Sequence, residues 1–245
     1  MSSPKILFGF HAVGVRLKTA PQSIVEIYFE TTRRDARMRQ FIERAQEAGV
    51  RLIEADGMRL AKLAGSHGHQ GVAARVESMP QVHSLDDLLD QVQGPPLLLV
   101  LDRVTDVRNF GAIARTAECT GVNAIVIPDK GAAQINADAM KTSSGALNFL
   151  PVCRESSLIH TVRYLQDSGI QVVACSEKVE KSMYQIDFKI PTAIIMGSEE
   201  DGISDELIRK SDDLAVIPQS GQVGSLNVSV AAGVVIFETV RQRSI

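Results

Sequence analysis

Three polar, glycine-rich segments carry the residues that could do chemistry, and each directly follows an apolar run typical of a buried strand. They are Asp102–Arg115, Met196–Gly202 and Ile217–Ser229. Because the ligands of open parallel sheets bind outside the carboxyl ends of the strands, we expect the three segments to meet at one site. Tight turns would explain the glycines, but not the polar side chains at strand ends and helix starts. These side chains are Asn109, Arg115, Glu199 and Asn227.

Short Val/Ile/Leu-rich runs in the second part of the chain predict the strands that position those segments. They cover residues 97–101, 124–127, 170–174, 192–196 and 214–217. Continuous apolar runs of this length are typical of a parallel sheet that is covered on both faces. Helices are predicted between them, over residues 109–119, 136–142, 156–167, 204–210 and about 226–242. Residues 95–245 are therefore predicted to form a doubly wound α/β domain.

The first 76 residues predict a second, smaller α/β domain. Its predicted helices cover residues 9–17, 34–48 and 56–63, and its predicted strands cover 24–29, 50–54 and 71–76. Between the two domains, residues 77–94 combine Pro and Gly with a short acidic amphipathic stretch, which predicts a linker.

The composition indicates a globular protein and conceals an asymmetry of charge. Of 245 residues, 44% are hydrophobic and 22% charged, which excludes disordered and fibrous classes. Residues 1–80 hold 12 Lys and Arg against 8 Asp and Glu, whereas the remainder holds 14 against 21. A basic module joined to an acidic one suits a protein that binds a polyanion, although a chance imbalance on solvated surfaces explains the numbers equally well.

Several classes of protein are disfavoured by missing patterns. No apolar run approaches the ~18–20 residues that cross a bilayer, and residues 1–10 lack a signal-peptide core, so we expect a cytoplasmic protein without membrane contact. The sequence has no GxGxxG after a strand, no phosphate-binding GxxxxGK[ST] and no GxSxG. Its five histidines have no metal-ligand spacing, so no metal is expected. Three cysteines without CxxC pairing are expected to be buried thiols, namely Cys119, Cys153 and Cys175.

The three segments are similar to the three motifs of a known family. The first two read Asn109-x-Gly111-x-x-x-Arg115 and Met196-Gly197-x-Glu199-x-x-Gly202. The third reads Ile217-Pro218 followed by Ser225-Leu226-Asn227-Val228-Ser229-Val230-Ala231. Together they resemble the SpoU family of RNA ribose 2′-O-methyltransferases, in the SPOUT superfamily. The front domain resembles the small substrate-binding domain of that family through Gly9-Phe-His-Ala-Val and His69-Gln70-Gly71.

The resemblance implies a fold, a cofactor and an assembly. It implies a C-terminal trefoil knot, in which the chain after Ile217 threads through a loop, and a homodimer. A last helix whose apolar surface is broader than one stripe fits such a dimer. The resemblance also implies S-adenosylmethionine bound between the second and third motifs. The residues expected to bind it are Met196, Gly197, Ile217, Val223 and Leu226. At Gly197 a backbone could approach the ligand, whereas Ile217 and Leu226 could equally be ordinary core residues.

The implied activity is methyl transfer to a ribose 2′-hydroxyl, and the layout is most similar to family members that modify a guanosine of 23S rRNA. A tRNA ribose methyltransferase is the near relative. In this family Arg115 is often given the role of general base, but a guanidinium offers only donors. We therefore expect Arg115 to hold the target phosphate and stabilise the developing alkoxide, with Asn109, Ser225 and Asn227 orienting the nucleotide. Glu199 would fix this group or accept a proton.

Alternatives and departures remain at this stage. A noncatalytic RNA-binding protein of the same fold and a methyltransferase acting on a base are the other candidate functions. The sequence has Val107, Glu200 and Gln219 where the family often has proline, glycine and methionine. In the front domain we expect Arg33, Arg34 and Arg37, around the predicted helix 34–48, to contact RNA, although such a charged helix is as often a solvated surface.

Overall fold

The computed structural model describes residues 5–76, 84–222 and 224–244. The chain divides into two compact units, residues 1–81 and 82–245. Of the predicted linker, residues 77–83 lie outside the described residues, and residues 84–94 belong to the second unit.

The first unit is built on a four-stranded mixed sheet with helices on both faces. Its strands are β1 Lys5–Phe8, β2 Ile24–Glu30, β3 Leu52–Ala55 and β4 Val72–Val76, in the order β1-β4-β2-β3. Its helices are α1 Phe10–Thr19, α2 Ala36–Glu47 and α3 Gly57–Ala64. Alternate strand residues bury opposite faces. Ile27 and Ala74 pack with α1 and α2 on one face, and Tyr28 and Ala73 pack with Leu60 of α3 on the other.

The second unit is built on a six-stranded sheet that is parallel throughout. Its strands are β5 Leu97–Leu101, β6 Ala124–Pro128, β7 Val152–Glu155, β8 Gln171–Cys175, β9 Thr192–Met196 and β10 Asp213–Ala215. Their order is β10-β8-β9-β5-β6-β7, and every neighbouring pair is parallel. The helices are α4 Leu85–Leu89, α5 Val107–Cys119, α6 Ala137–Thr142, α7 Leu158–Asp167, α8 Asp205–Lys210 and α9 Val228–Arg243.

Both faces of this parallel sheet are covered, as the continuous apolar runs predicted. Phe110 of α5 and Val235 of α9 are buried in one hydrophobic cluster, with Leu99 of β5. Val162 of α7 and Leu207 of α8 are buried in the cluster on the opposite face. The mostly parallel α/β architecture expected for this part of the chain is confirmed.

Two strands were not predicted, and several predicted boundaries differ from the observed ones by one or two residues. The edge strand β7 was not predicted, because Arg154 and Glu155 interrupt its apolar run, and β1 was not predicted either. Helix α2 begins at Ala36 rather than 34, because the side chain of Asp35 caps it by accepting a hydrogen bond from the Met38 amide. Arg34, like Arg33, therefore precedes this helix.

The three cysteines are not all buried. Cys119 is exposed, so the prediction was wrong there, whereas Cys153 is buried and Cys175 half-buried. Burial raises the pKa of the Cys153 thiol to about 11, with a smaller contribution from the charge of Glu155. Burial likewise raises the pKa of Cys175 to about 12.

Within residues 5–76, 84–222 and 224–244, no helix has the length and apolarity needed to cross a membrane. In the same residues, no three His, Cys, Asp or Glu side chains are grouped as metal ligands.

Candidate active site

A cavity of about 250 Å³ lies at the carboxyl ends of β8, β9 and β10. The second and third motifs line it, as expected for loops at this edge of a parallel sheet. Its lining contains seven of the ten residues that were expected in the catalytic and cofactor sites. These are Met196, Gly197, Glu199, Ile217, Ser225, Leu226 and Asn227. Val223 lies outside the described residues, and Asn109 and Arg115 are not in the lining.

Asn227 joins the three motifs through its side-chain amide. The amide nitrogen donates to Glu199 Oε1 at 2.6 Å and to Asn109 Oδ1 at 3.1 Å. The amide oxygen accepts from the backbone N–H of Ser229 at 2.9 Å and from its hydroxyl, so Asn227 also caps α9. One side chain thus fixes residues that lie 118 and 28 positions away in the sequence.

Asn109 is placed by the start of α5. The carboxylate of Asp106 caps this helix by accepting hydrogen bonds from the amides of Arg108 at 2.7 Å and Asn109 at 2.9 Å. These two bonds, the one from Asn109 first, lower the pKa of Asp106. The helix also approaches α6 closely, since a Cβ on Gly111 would lie 2.8 Å from the carbonyl oxygen of Ala139. Gly111 in the first motif therefore permits helix packing that fixes α5.

Gly197 has a packing role that the sequence did not suggest. A Cβ at this position would lie 2.1 Å from the carbonyl carbon of Gly202 and 2.2 Å from the amide nitrogen of Ile203. The space that glycine leaves free is therefore filled by the chain's own backbone. Gly197 lines the cavity, where a ligand was expected to approach it, and the missing Cβ also lets the turn at 198–202 fold back against β9.

Asp102 and Arg103, at the end of β5, hold this turn, and sequence reasoning assigned neither a role. The buried carboxylate of Asp102 accepts a hydrogen bond from the Ser204 amide at 2.8 Å. The Arg103 guanidinium contacts Asp201 and the carbonyl oxygen of Gly202. Their position just after a buried strand, at the same edge of the sheet as the motifs, is the sequence feature that could have identified them.

Arg115 stands apart from the cluster around Asn227. It is exposed on α5 and makes no hydrogen bond or ion pair with any residue that the structure describes. Its guanidinium is therefore available to an acceptor outside the chain.

Two of the three departures from the family pattern line the cavity. Glu200 and Gln219 both line it, and Val107 is the first residue of α5. Glu177, which sequence reasoning did not single out, also lines the cavity, so carboxylates stand on more than one wall.

In the first unit, the three arginines expected to contact RNA differ in their surroundings. The guanidinium carbons of Arg33 and Arg37 lie 4.7 and 4.6 Å from the centroid of the Phe10 ring. Arg33 also pairs with Asp35 and donates to the carbonyl oxygen of Gln70 at 2.6 Å. Arg34 and Arg37 are exposed. Arg33 is thus held by hydrogen bonds and an ion pair within its own unit, Arg37 is exposed but stacks on Phe10, and Arg34 is exposed.

The fold and this arrangement of three motifs are those of one family. The chain matches the SpoU rRNA Methylase family over residues 96–237 and the RNA 2′-O ribose methyltransferase substrate binding family over residues 6–82. The protein therefore belongs to the SpoU rRNA methylase family, which confirms the resemblance seen in the motifs.

Individual relatives are similar over their whole length. A 23S rRNA (guanosine-2′-O-)-methyltransferase, RlmB, of Ralstonia nicotianae is 46% identical, covering 100% of this chain and 98% of that protein. The RlmB of a Burkholderia species is 42% identical over 98% of this chain and 97% of its own. The SpoU methyltransferase AviRb from Streptomyces viridochromogenes, solved in complex with AdoMet, superposes with a TM-score of 0.75 at 25% identity, over 99% of this chain and 91% of its own.

Proposed function

We propose that this protein transfers a methyl group from S-adenosylmethionine to the ribose 2′-hydroxyl of a guanosine in 23S rRNA. The observation that carries the proposal is the amide of Asn227, which ties the three motifs together at the cavity. The similarity of the whole chain to enzymes of that name supports the choice of substrate. A tRNA substrate, the main alternative, is not favoured by these relatives.

The chemistry of the cavity fits S-adenosylmethionine. The apolar side chains of the lining suit the adenine ring and the methionine chain, and they include Met196, Ile217, Leu226 and Val228. The carboxylates of Glu177 and Glu199 suit a ligand that carries a sulfonium and an ammonium charge. The volume of about 250 Å³ is close to the lower end of the ~300–1,000 Å³ that is usual for ligand sites. Bound there, S-adenosylmethionine supplies the methyl group on a good leaving group.

The residues around Asn227 orient the nucleotide in this proposal. The 2′-oxygen forms a bond to the methyl carbon as the carbon–sulfur bond breaks, and the bonding electrons go to sulfur. Asn109, Ser225 and Asn227 hold the ribose in line for this attack, because alignment supplies much of the rate. The hydroxyl proton passes to Glu199, whose second carboxylate oxygen accepts no hydrogen bond from the described residues. Arg115 holds the neighbouring phosphate and stabilises the charge that develops on the 2′-oxygen.

The first unit, with residues 1–76 as the RNA-binding domain, would hold the RNA, and residues 95–245 would form the methyltransferase domain. The exposed guanidinium groups of Arg34 and Arg37 support phosphate contacts on the first unit. Arg33 contributes mainly by fixing Phe10 and Gln70, which carry part of the resemblance to substrate-binding domains.

A homodimer and a knot are part of the proposal. On α9, Val230 and Phe237 are 51% and 57% exposed, while Val235 of the same helix is buried, so a second apolar face is left for a partner. Sedimentation at micromolar concentration should give a dimer.

For the knot, the end of α9 hydrogen-bonds both the segment before β9, through Phe188, and the residue before β5, Pro96. A chain that threads through a loop would make such contacts. A cytoplasmic location is consistent with this RNA substrate.

Nucleoside analysis tests the proposed activity. The protein, S-adenosylmethionine and 23S rRNA from cells that lack the enzyme should yield 2′-O-methylguanosine, detected by mass spectrometry after digestion. Transfer RNA serves as the competing substrate. A methylated base would favour the base methyltransferase, methylation of tRNA alone would favour the relative that acts on tRNA, and RNA binding without any methylation would favour a noncatalytic protein.

A further inference from the structure

Arg103, the second residue after β5, has a backbone conformation that favours glycine. Its φ is 58°, in the left-handed region where a Cβ crowds the neighbouring carbonyl oxygen. Residues other than glycine persist in this region where the surrounding structure compensates for the strain. The contacts of the Arg103 side chain can provide that compensation.

The side chain of Arg103 reaches the turn that follows β9. Its Nη1 lies 3.2 Å from the carboxylate of Asp201, and its Nη2 donates to the carbonyl oxygen of Gly202 at 3.2 Å. Its Nε donates to the carboxylate of Asp102 at 3.3 Å. Since the guanidinium is a rigid planar fork, these contacts join the end of β5 to the turn in one geometry.

The turn that Arg103 contacts forms one wall of the cavity. Ser198 and Gly202 exchange backbone hydrogen bonds of 3.2 and 3.0 Å, and both line the cavity together with Glu199. Arg103 and Asp201 are not among the lining residues. The guanidinium thus holds the wall without occupying the space that a ligand would fill.

We propose that Arg103 is a positioning residue that holds the 198–202 turn in the conformation that receives S-adenosylmethionine. This inference rests on the proposed function, because it assigns the cavity to that ligand. Without the guanidinium, the turn would populate other conformations before the ligand binds. The apparent affinity falls in proportion to the fraction of molecules with a competent turn.

The variants Arg103→Gly and Arg103→Asn test this inference in the full-length protein. Both residues tolerate a positive φ, so the fold is retained while the guanidinium is lost. We expect about one variant molecule in ten to have a competent turn. Calorimetry should then give an affinity for S-adenosylmethionine that is weaker by about tenfold. Hydrogen exchange without ligand should be about tenfold faster at the amides of Ser198 and Gly202. The thermal midpoint should stay close to that of the parent.

Ser144→Gly is the matched control. Ser144 also has a positive φ, 51°, and it lies in the turn after α6 and not in the cavity lining. Glycine there relieves the backbone in the same way. Hydrogen exchange at the 198–202 turn and the affinity for S-adenosylmethionine should nevertheless equal those of the parent.

The outcomes separate this inference from the proposed function. If the parent binds and the Arg103 variants bind equally well, the positioning role is overturned, whether or not exchange is faster. Unchanged exchange at Ser198 and Gly202 would also overturn it, because the guanidinium would then be an ordinary surface ion pair. A parent that binds no S-adenosylmethionine would instead overturn the proposed function.

Discussion

Substituting Gly197 by alanine separates two physical reasons for a glycine in the second motif. If this glycine is needed only so that a ligand can approach the backbone, alanine should weaken ligand binding and leave the stability of the free protein unchanged. If it is needed so that the 198–202 turn packs on β9, the free protein itself should be destabilised. The distances favour the second reason, because the added Cβ would lie 2.1 Å from the carbonyl carbon of Gly202.

The cost of Gly197→Ala follows from how far the backbone must move. Ordinary contacts of a Cβ lie at 3.4–4 Å, so the backbone at Gly202 must retreat by more than an ångström. Overpacking of this kind costs about 1–3 kcal/mol. Weakening the two backbone hydrogen bonds between Ser198 and Gly202 adds about 1 kcal/mol each. We expect a total of about 3–5 kcal/mol, and a loss of ligand affinity as well.

Thermal unfolding without ligand, followed by calorimetry with S-adenosylmethionine, measures both effects. At about 2–4 °C per kcal/mol for a chain of this size, the midpoint should fall by roughly 6–20 °C. The control is Gly221→Ala, because a Cβ at Gly221 meets nothing within 4 Å and this glycine has no positive φ. A Gly197→Ala protein as stable as the control, with only its affinity reduced, would refute the packing argument and restore ligand approach as the reason.

Three further predictions concern the site, the thiols and the RNA surface. Asn227→Asp keeps the cap on α9 but sets a second carboxylate against Glu199. The rate of methyl transfer should therefore fall by at least tenfold, which is about 1.4 kcal/mol in activation free energy, while circular dichroism shows unchanged helix content. A thiol reagent at pH 8 should label Cys119 alone, because the pKa of Cys175 is raised to about 12; mass spectrometry that finds equal labelling of both would contradict this. Arg37→Ala should weaken RNA binding and lower the slope of log affinity against log salt by about one unit, with unchanged affinity for S-adenosylmethionine in calorimetry.

Much of the parallel sheet could be predicted because its strands are buried on both faces. The runs at 97–101 and 192–196 coincide with β5 and β9 residue for residue, since every position in each strand is buried. The strand β7 lies at the edge of the sheet, where Arg154 is exposed, and its run of apolar residues is too short to give the same signal. Two-sided burial thus gives a strong signal in the sequence, whereas the partly exposed edge strand β7 gives a weak one.

The candidate site could be predicted as a set of residues but not as a set of contacts. Loops that follow parallel strands converge whatever their sequence separation, which is why Asn109, Glu199 and Asn227 could be grouped without coordinates. The bracing of the 198–202 turn by Arg103 depends on a left-handed backbone conformation and on acceptors about 100 positions further along the chain. No local sequence pattern predicts such a contact, because an arginine near the end of a strand is common and only the φ of this one is unusual.

A sequence motif likewise does not show which contacts require its glycine, as Gly197 illustrates. In the sequence, Gly197 and Gly202 suggest only that a chain turns sharply near a ligand. In the structure, the space above Gly197 holds the backbone of Gly202 and Ile203, so the turn is packed before any ligand arrives. Since Asp102 and Arg103 fix the same turn from β5, this wall of the cavity is preorganised by contacts within the second unit. Preorganisation lowers the conformational entropy that a ligand must overcome on binding, and so the packing of this glycine against the turn can itself influence the affinity for the ligand.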